Sequence, residues 1–264
     1  MARFSPLFSG SKGNSYYIGC AGGSILIDAG VSAKRLEQAL FSIDVNPADI
    51  HTIFITHEHI DHVRGLGVFA ARYGCAVMAT SGTLEALEQN GLSKKIIALI
   101  PIEHGCQTEA AGMQISCFAT PHDTPASCGF RVSTSDGRNI GIATDIGCMT
   151  AEIRQSLCGC DLVVLESNHD VGMLQNGAYP YYLKRRILSD VGHLSNIKCA
   201  EELPVLAKSG TTRFILGHLS QENNMPVLAY QTSLSTLLEC GFKEKRDFTL
   251  SVAPPQNDEG IMVF

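Results

Sequence analysis

The chain has 264 residues, enough for one large domain with a substantial core or two small ones. It is 45% hydrophobic and 17% charged, the balance of a soluble globular protein. A net charge of −6 excludes a uniformly basic surface, so nucleic-acid binding would need a local basic patch or bound divalent metals.

Short apolar runs alternate with helical patterns along the whole length. Strands are predicted at 24–28 (SILID), 52–56 (TIFIT), 76–80 (AVMAT), 113–119 (MQISCFA), 128–134 (CGFRVST), 139–144 (NIGIAT), 161–166 (DLVVLE), 212–217 (TRFILG) and 249–253 (TLSVA). Most are four to eight residues long and rich in Ile, Val, Phe and Thr. Helices are predicted at 33–41, 63–73, 81–90, 150–158, 180–188, 196–208 and 225–240. Gly91 can end the helix at 81–90 in a left-handed turn, and Pro226 opens the last one, which stops before Gly241. Pro204 predicts a kink or two short pieces within 196–208. There is no low-complexity segment and no long linker, so the expectation is one α/β sandwich domain over 1–264.

The ten cysteines, at 20, 75, 106, 117, 128, 148, 158, 160, 199 and 240, lie mostly in apolar runs, where Cys acts as a small buried hydrophobe. Free thiols are expected. Cys158 and Cys160 form a C-x-C pair, but no second pair accompanies it to complete a metal site. No secretory signal opens the chain and no apolar run approaches a membrane span, so a reducing cytosol is the expected compartment.

The segment Thr56-His57-Glu58-His59-Ile60-Asp61-His62 directly follows the strand TIFIT. In extended chain, His57 and His59 project to one side. Asp61 and His62 come where the chain turns into the next helix and can face a second position. One short loop could thus hold two metals about 3.5–4 Å apart. Asp61 alone could be a helix cap, but three histidines and an aspartate at H-x-H-x-D-H spacing rarely serve capping only. Further candidates stand at or just beyond strand ends: Asp28, His122 with Asp123, Asp145, His169 and His218. Loops there are free to converge.

Together with Asp28, His122, Asp145 and His218, the THEHIDH segment resembles the metallo-β-lactamase superfamily over nearly the whole chain. The resemblance implies a four-layer αββα sandwich with the site at one edge. It implies that His57, His59 and His122 hold one metal, that Asp61, His62 and His218 hold a second, that Asp145 bridges them, and that Asp28 orients the histidine loop. More narrowly, SGSKGNS at 9–15, LIDAG at 26–30, TPHD at 120–123, ATDIG at 143–147, ESNHD at 166–170, YPYYLKRRI at 179–187, GHLSN at 192–196 and GHLSQENN at 217–224 resemble the YycJ/WalJ/VicX subgroup, related to RNase J and RNase Z type nucleases. Pro121 in TPHD departs from the more usual SHD or THD, leaving the ligand in place.

That subgroup implies a 5′-3′ exonuclease acting on DNA, with a water shared between two divalent ions as nucleophile. Asp61 would orient the nucleophile. His193 in GHLSN would protonate the leaving oxygen, as in RNase Z-type enzymes; alternatively it caps a helix or bonds within the core. The Gly-rich loop with Ser11, Lys12 and Asn14 either contacts phosphate or is a plain turn between strands. His169 either touches the site or pairs with Asp170, and Asn223 is a further candidate for substrate contact. Lys184, Arg185 and Arg186 form the one basic triplet, and on a helix no more than one or two of them could face a phosphate. With nitrogen and oxygen ligands only, zinc, manganese or iron would suit.

The main rival is a small-molecule ester, thioester or lactone hydrolase on the same metals. The chain is too short for the helical domain of glyoxalase II-like members, and it has no room for a β-CASP insertion between Asp145 and His218. A flavodiiron protein would place Glu at position 59 and add a flavin domain. A catalytically silent protein fits poorly with seven filled metal positions. Oligomeric state is left open.

Overall fold

The computed structural model describes residues 1–94 and 96–264 and places them in two seven-stranded sheets. The first sheet has the order β14-β1-β2-β3-β4-β5-β6, where β1 is Arg3–Phe8, β2 Ser15–Cys20, β3 Gly23–Ile27, β4 Ile50–Phe54, β5 Ala76–Ala79, β6 Ala98–Pro101 and β14 Met262–Val263. The second has the order β13-β12-β11-β10-β9-β8-β7, where β7 is Gln107–Ala110, β8 Met113–Ala119, β9 Cys128–Ser133, β10 Asn139–Ala143, β11 Leu162–Glu166, β12 Arg213–Gly217 and β13 Thr249–Val252. In the first sheet, pairing is antiparallel from β14 through β3 and parallel from β3 through β6. The second repeats that scheme, antiparallel from β7 through β10 and parallel from β10 through β13. The fold is therefore built from two halves of like topology, a duplication that shows in the pairing and not in the residues.

Both faces of the inner parallel strands β4 and β11 carry buried apolar side chains, because each sheet is covered on two sides there. Along β4 and at the residue after it, Ile53 and Ile55 turn outward to Leu36 and Leu40 of α1 (Ala33–Ser42) and Phe69 of α3 (Leu66–Tyr73), while Phe54 turns inward. Along β11, Val163 and Leu165 face Leu203 and Leu206 of α8 (Asn196–Lys208), while Leu162 and Val164 turn inward. Phe54 meets Phe130 between the sheets, with ring centroids 5.5 Å apart. Three apolar layers thus separate helix, sheet, sheet and helix, the four-layer sandwich that the family resemblance implies. The remaining helices are α2 (Ile60–Val63), α4 (Ser81–Gln89), α5 (Ala151–Leu157), α6 (Val171–Asn176), α7 (Tyr181–Ile187) and α9 (Pro226–Glu239). A 3-10 turn spans Pro47–Asp49. No helix among the described residues is long and apolar enough to cross a membrane.

Two helix expectations need correction. The helix expected over 63–73 starts earlier and divides into α2 and α3 around Arg64 and Gly65, where a side chain on Gly65 would run into the Val31 carbonyl at 2.2 Å. The helix at 196–208 is unbroken despite Pro204, with Leu203, Pro204 and Leu206 all buried. Burial of that face outweighs the one missing N–H. All ten cysteines are unpaired.

Candidate metal centre

The parallel strands of both sheets end at the same edge, and the chain turns sharply there. Asp28, Asp145 and His218 follow β3, β10 and β12, and all three adopt left-handed backbone with φ of 63°, 56° and 54°. That conformation is unfavourable outside glycine. Here it bends the chain as it leaves the sheet and aims each side chain into the gap between the sheets. The loop after β4 supplies His57 to His62, and the β8–β9 connection supplies His122.

His57, His62, His122 and His218 share one arrangement. His62 Nδ1 donates to Asp28 Oδ2 at 2.8 Å, and Thr56 Oγ1 joins Asp28 Oδ2 (2.9 Å) to His57 Nδ1 (3.0 Å). His122 Nδ1 donates to the Gly192 carbonyl at 3.2 Å, and His218 Nδ1 donates to Glu166 Oε1 at 2.9 Å. Each of these Nδ1 atoms is thereby spent as a donor, so the neutral form of each ring carries its lone pair on Nε2. Nε2 of His57, His122 and His218, together with Asp145 Oδ2, is buried without a hydrogen-bond partner. Four such atoms in one place are costly, at about 1–3 kcal/mol each. A cation would satisfy all four, so the donor set fits divalent metal.

The distances fit two positions. Ligand atoms of His57, His59 and His122 lie within 4.8 Å of one another, as do those of Asp61, His62 and His218. A third set, His57, His62 and Asp145, links the first two. The fourth, Asp145, Glu166, His193 and His218, is different in kind, because Glu166 Oε1 is already hydrogen bonded to Nδ1 of both histidines. Cys158 and Cys160 enter no such group among the described residues.

Electrostatics follow the same division. Burial and the neighbouring His62 push His57 well below the usual imidazole range, and burial also lowers His122, so both present neutral rings. Burial would raise Asp145, but the His218 and His62 imidazoles overcome it and hold that carboxyl well below the ordinary range. Burial opposes charge on His218, yet Asp145, Asp61 and Glu166 together push it up to about 10.

Glu166 is the residue that sequence reasoning missed. It is wholly buried at the end of β11, and Oε1 accepts from His193 at 2.8 Å. Oε2 accepts from the Ile146 and Leu194 amides at 2.7 and 3.3 Å. Burial would raise its pKa, but the His193 and His218 imidazoles bring it down to about 2. The signal was its place as the last strand residue of ESNHD, but His169 drew attention instead. His169 itself is buried with both ring nitrogens unpartnered, and burial lowers it to about 4. It does not pair with Asp170, whose carboxylate caps α6 through the Met173 amide at 2.7 Å.

Other expected contacts lie differently. Ser11 and Lys12 are exposed at the tip of the loop that joins antiparallel β1 and β2. Asn14 is buried, accepting from the Gly10 amide at 2.9 Å and lying 3.1 Å from His62 Nε2, so it braces the loop against the histidines. Asn223 is also buried, and its carbonyl accepts from the Asp170 amide at 2.9 Å. Neither asparagine is presented to solvent. Asp61 sits inside the first turn of α2 rather than capping it, with Oδ2 3.6 Å from His218 Nε2.

The loops are clamped by backbone as well. The Gly30 amide donates to the Asn14 carbonyl at 2.9 Å, and a Cβ on Gly30 would lie 1.7 Å from the Asp61 carbonyl oxygen. Gly30→Ala is expected to cost about 1–3 kcal/mol, as overpacking does, and to lower bound metal because Asp61 must move. A variant with wild-type melting temperature and metal content would refute this tight packing. Metal removal has its own expected effect. With an ion at about 100 times its Kd, each occupied site adds about 2.7 kcal/mol. A chain of this size shifts about 2–4 °C per kcal/mol, so chelation should lower Tm by about 5–10 °C for each ion removed. An unchanged Tm after metal loss, verified by elemental analysis, would mean that these side chains do not hold the ions.

A family model described as "Beta-lactamase superfamily domain" matches residues 24–219. The chain is 35% identical over 255 residues to exodeoxyribonuclease WalJ of Streptococcus pneumoniae serotype 2, covering 96% of this chain and 94% of that protein. It is 35% identical over 260 residues to exodeoxyribonuclease YycJ of Bacillus anthracis, covering 96% of each. Among solved structures, the metallo-β-lactamase fold protein YhfI from Bacillus subtilis superposes with a TM-score of 0.73 at 14% identity, covering 99% of this chain and 98% of that one. Zn(2+)-bound PqqB from Methylobacterium extorquens gives 0.70 at 16% identity, covering 99% and 100%. At those identities the likeness is one of fold.

Proposed function

We propose, from the premise that this chain belongs to the β-lactamase superfamily and has the metallo-β-lactamase fold, that it is a dinuclear metal-dependent phosphodiesterase that degrades DNA from a 5′ end. The observation that carries the metal chemistry is the ring of buried, unpartnered Nε2 atoms around Asp145. The choice of DNA rests on the two exodeoxyribonuclease relatives, alike over nearly the full length. The rival reading, a small ester, thioester or lactone hydrolase, has no such support.

In this reading His57, His59 and His122 hold one ion, Asp61, His62 and His218 a second, and Asp145 serves both. Zinc or manganese, or iron, suits nitrogen and oxygen donors alike. When bound, two divalent ions make water a nucleophile near neutral pH and polarise the phosphoryl oxygens. The protein supplies the rest. Asp28 and Thr56 fix the tautomers of His57 and His62. Asp61, the more exposed of the two carboxylates in the cluster, orients the attacking water. His193, held by Glu166 through Nδ1, keeps its other nitrogen for the leaving oxygen and protonates it. The two sheets work as one domain, since each contributes ligands. Ten unpaired thiols suit a reducing cytosol.

The test incubates metal-loaded protein with 5′-phosphorylated duplex DNA, single strands and RNA, beside lactone and thioester substrates. Ordered release of mononucleotides from DNA is the expected result. Turnover of small esters alone would reverse the assignment.

A further inference from the structure

Three sequence motifs, ESNHD at 166–170, GHLSN at 192–196 and GHLSQENN at 217–224, come together just beyond the end of β11. The Ser167 amide donates to the Gly217 carbonyl at 2.9 Å, and the Ser220 amide to the Asn168 carbonyl at 2.8 Å. The Asn168 amide donates to the Leu194 carbonyl at 2.8 Å, and the Asn196 amide to the His169 carbonyl at 2.9 Å. The ESNHD segment therefore carries both the His193 loop and the His218 loop.

Two buried asparagines lock these segments together. Asn196 is the first residue of α8, Asn224 lies two residues before α9, and they are 1% and 6% exposed. Each amide donates to the carbonyl oxygen of the other, both at 2.9 Å. Asn196 Oδ1 also accepts from Ser167 Oγ at 2.7 Å, and Asn224 Oδ1 from the Met225 amide at 2.9 Å. The second proton of Asn224 Nδ2 is shared between the Ser167 and Asn168 carbonyls at 2.9 and 3.0 Å. Asn168 Nδ2 in turn donates to the His218 carbonyl at 2.9 Å. A side-chain amide has two donors and two acceptor lone pairs, and Asn224 uses all four. A buried network satisfied to this degree holds one geometry.

The network sits directly behind Glu166, whose Oε1 receives Nδ1 of both His193 and His218 at 2.8 and 2.9 Å. That oxygen fixes where the two rings meet, but not the backbones that bring them there. His193 stands in the connection between α7 and α8, and His218 leaves β12 in left-handed backbone. A proton donor displaced by about 1 Å can cost about 10²-fold in rate, so both loops need a common anchor. The asparagine pair is that anchor, because it ties each loop to the Ser167–Asn168 backbone.

We propose that Asn224, with Asn196 as its partner, is a positioning residue that sets the His193 ring against the metal centre without touching substrate. This rests on the nuclease reading above for the role of His193, and adds the group that holds that ring in place.

The experiment compares wild type with Asn224→Ala, Asn196→Ala, the double variant and the milder Asn196→Ser, all in excess metal. Elemental analysis gives metal content, and thermal melts confine the comparison to folded protein. On 5′-phosphorylated DNA, kcat should fall about 10–100-fold, the range for groups that orient others. KM should stay within about twofold, as for an interaction felt only in the transition state. Bis(p-nitrophenyl) phosphate should be largely spared, since nitrophenolate leaves without the proton that His193 supplies. The double variant should be no slower than the worse single one, because the two side chains act as a unit. Asn196→Ser should lie between Asn196→Ala and wild type. Equal losses on both substrates would overturn the proposal, since general loosening of the fold does not choose between leaving groups. Wild-type turnover of DNA, or a loss that follows metal content alone, would overturn it too. Wild type that cleaves small esters and no DNA would instead defeat the nuclease reading, and alkyl against nitrophenyl esters would then decide the asparagine pair.

Discussion

Asp145→Asn is expected to lower turnover by about 10³-fold or more, because a bound ion supplies several kcal/mol of transition-state charge stabilisation and each 1.4 kcal/mol or so is a factor of ten. The substitution is nearly isosteric and asparagine tolerates left-handed backbone, so φ of 56° at this position should survive. What disappears is the charge. Asp145 Oδ2 lies 3.2 Å from His62 Nε2, and Oδ1 lies 3.8 Å from His122 Nε2, so one carboxylate faces ligands of both expected ions. Bound metal should fall with activity. His59→Ala, a ligand of one expected ion only, should cost metal too, but should leave the Asp61, His62 and His218 group able to hold an ion. Full metal stoichiometry in Asp145→Asn would remove this carboxylate from the centre, and full stoichiometry in His59→Ala would remove that imidazole.

How much of this was legible beforehand depends on the range over which each signal acts. THEHIDH is a local signal: four donors within six residues after a strand leave little else to mean. Asp28, His122, Asp145 and His218 were found because strand ends are recognisable from short apolar runs. Glu166 has no such local mark. Its role exists only because His193 and His218, far along the chain, both come to its Oε1. Asn14 misled for the opposite reason. A polar residue in a Gly-rich loop suggests outward contact, but its amide turns back onto Gly10 and His62. Among the strands, β1 was obscured by Pro6, which sits where the pairing with β2 shifts register. β7 was obscured because QTEA lies at a sheet edge and is mostly polar, so it carries no apolar run. The duplicated pairing scheme left no trace at residue level at all.

His193→Ala should keep its metal and lose about 10²–10⁴-fold in cleavage of DNA, the range that a positioned proton donor supplies. The ring lies outside the triads that fit ions, yet 5.3 Å from the His122 ring and 5.4 Å from the His218 ring, so in the proposed reading it would border a phosphate at the cluster without being needed to hold a cation. A proton donor and a merely structural histidine give different signatures. An alkoxide leaving from deoxyribose needs a proton, but nitrophenolate leaves readily without one. The variant should therefore be far less impaired on bis(p-nitrophenyl) phosphate than on DNA, and equal losses on both substrates would sink the assignment. Glu166→Gln tests the same unit from behind. Glutamine can still accept from one imidazole, but it removes the negative charge behind the His193 ring, and it disturbs His218 as well. It should reproduce the leaving-group dependence and add a loss of metal, within the roughly 10–100-fold typical of groups that orient ligands. If Glu166→Gln lost metal and yet kept the wild-type ratio between the two substrates, Glu166 would be a support for His218 alone, and His193 would have to act without it.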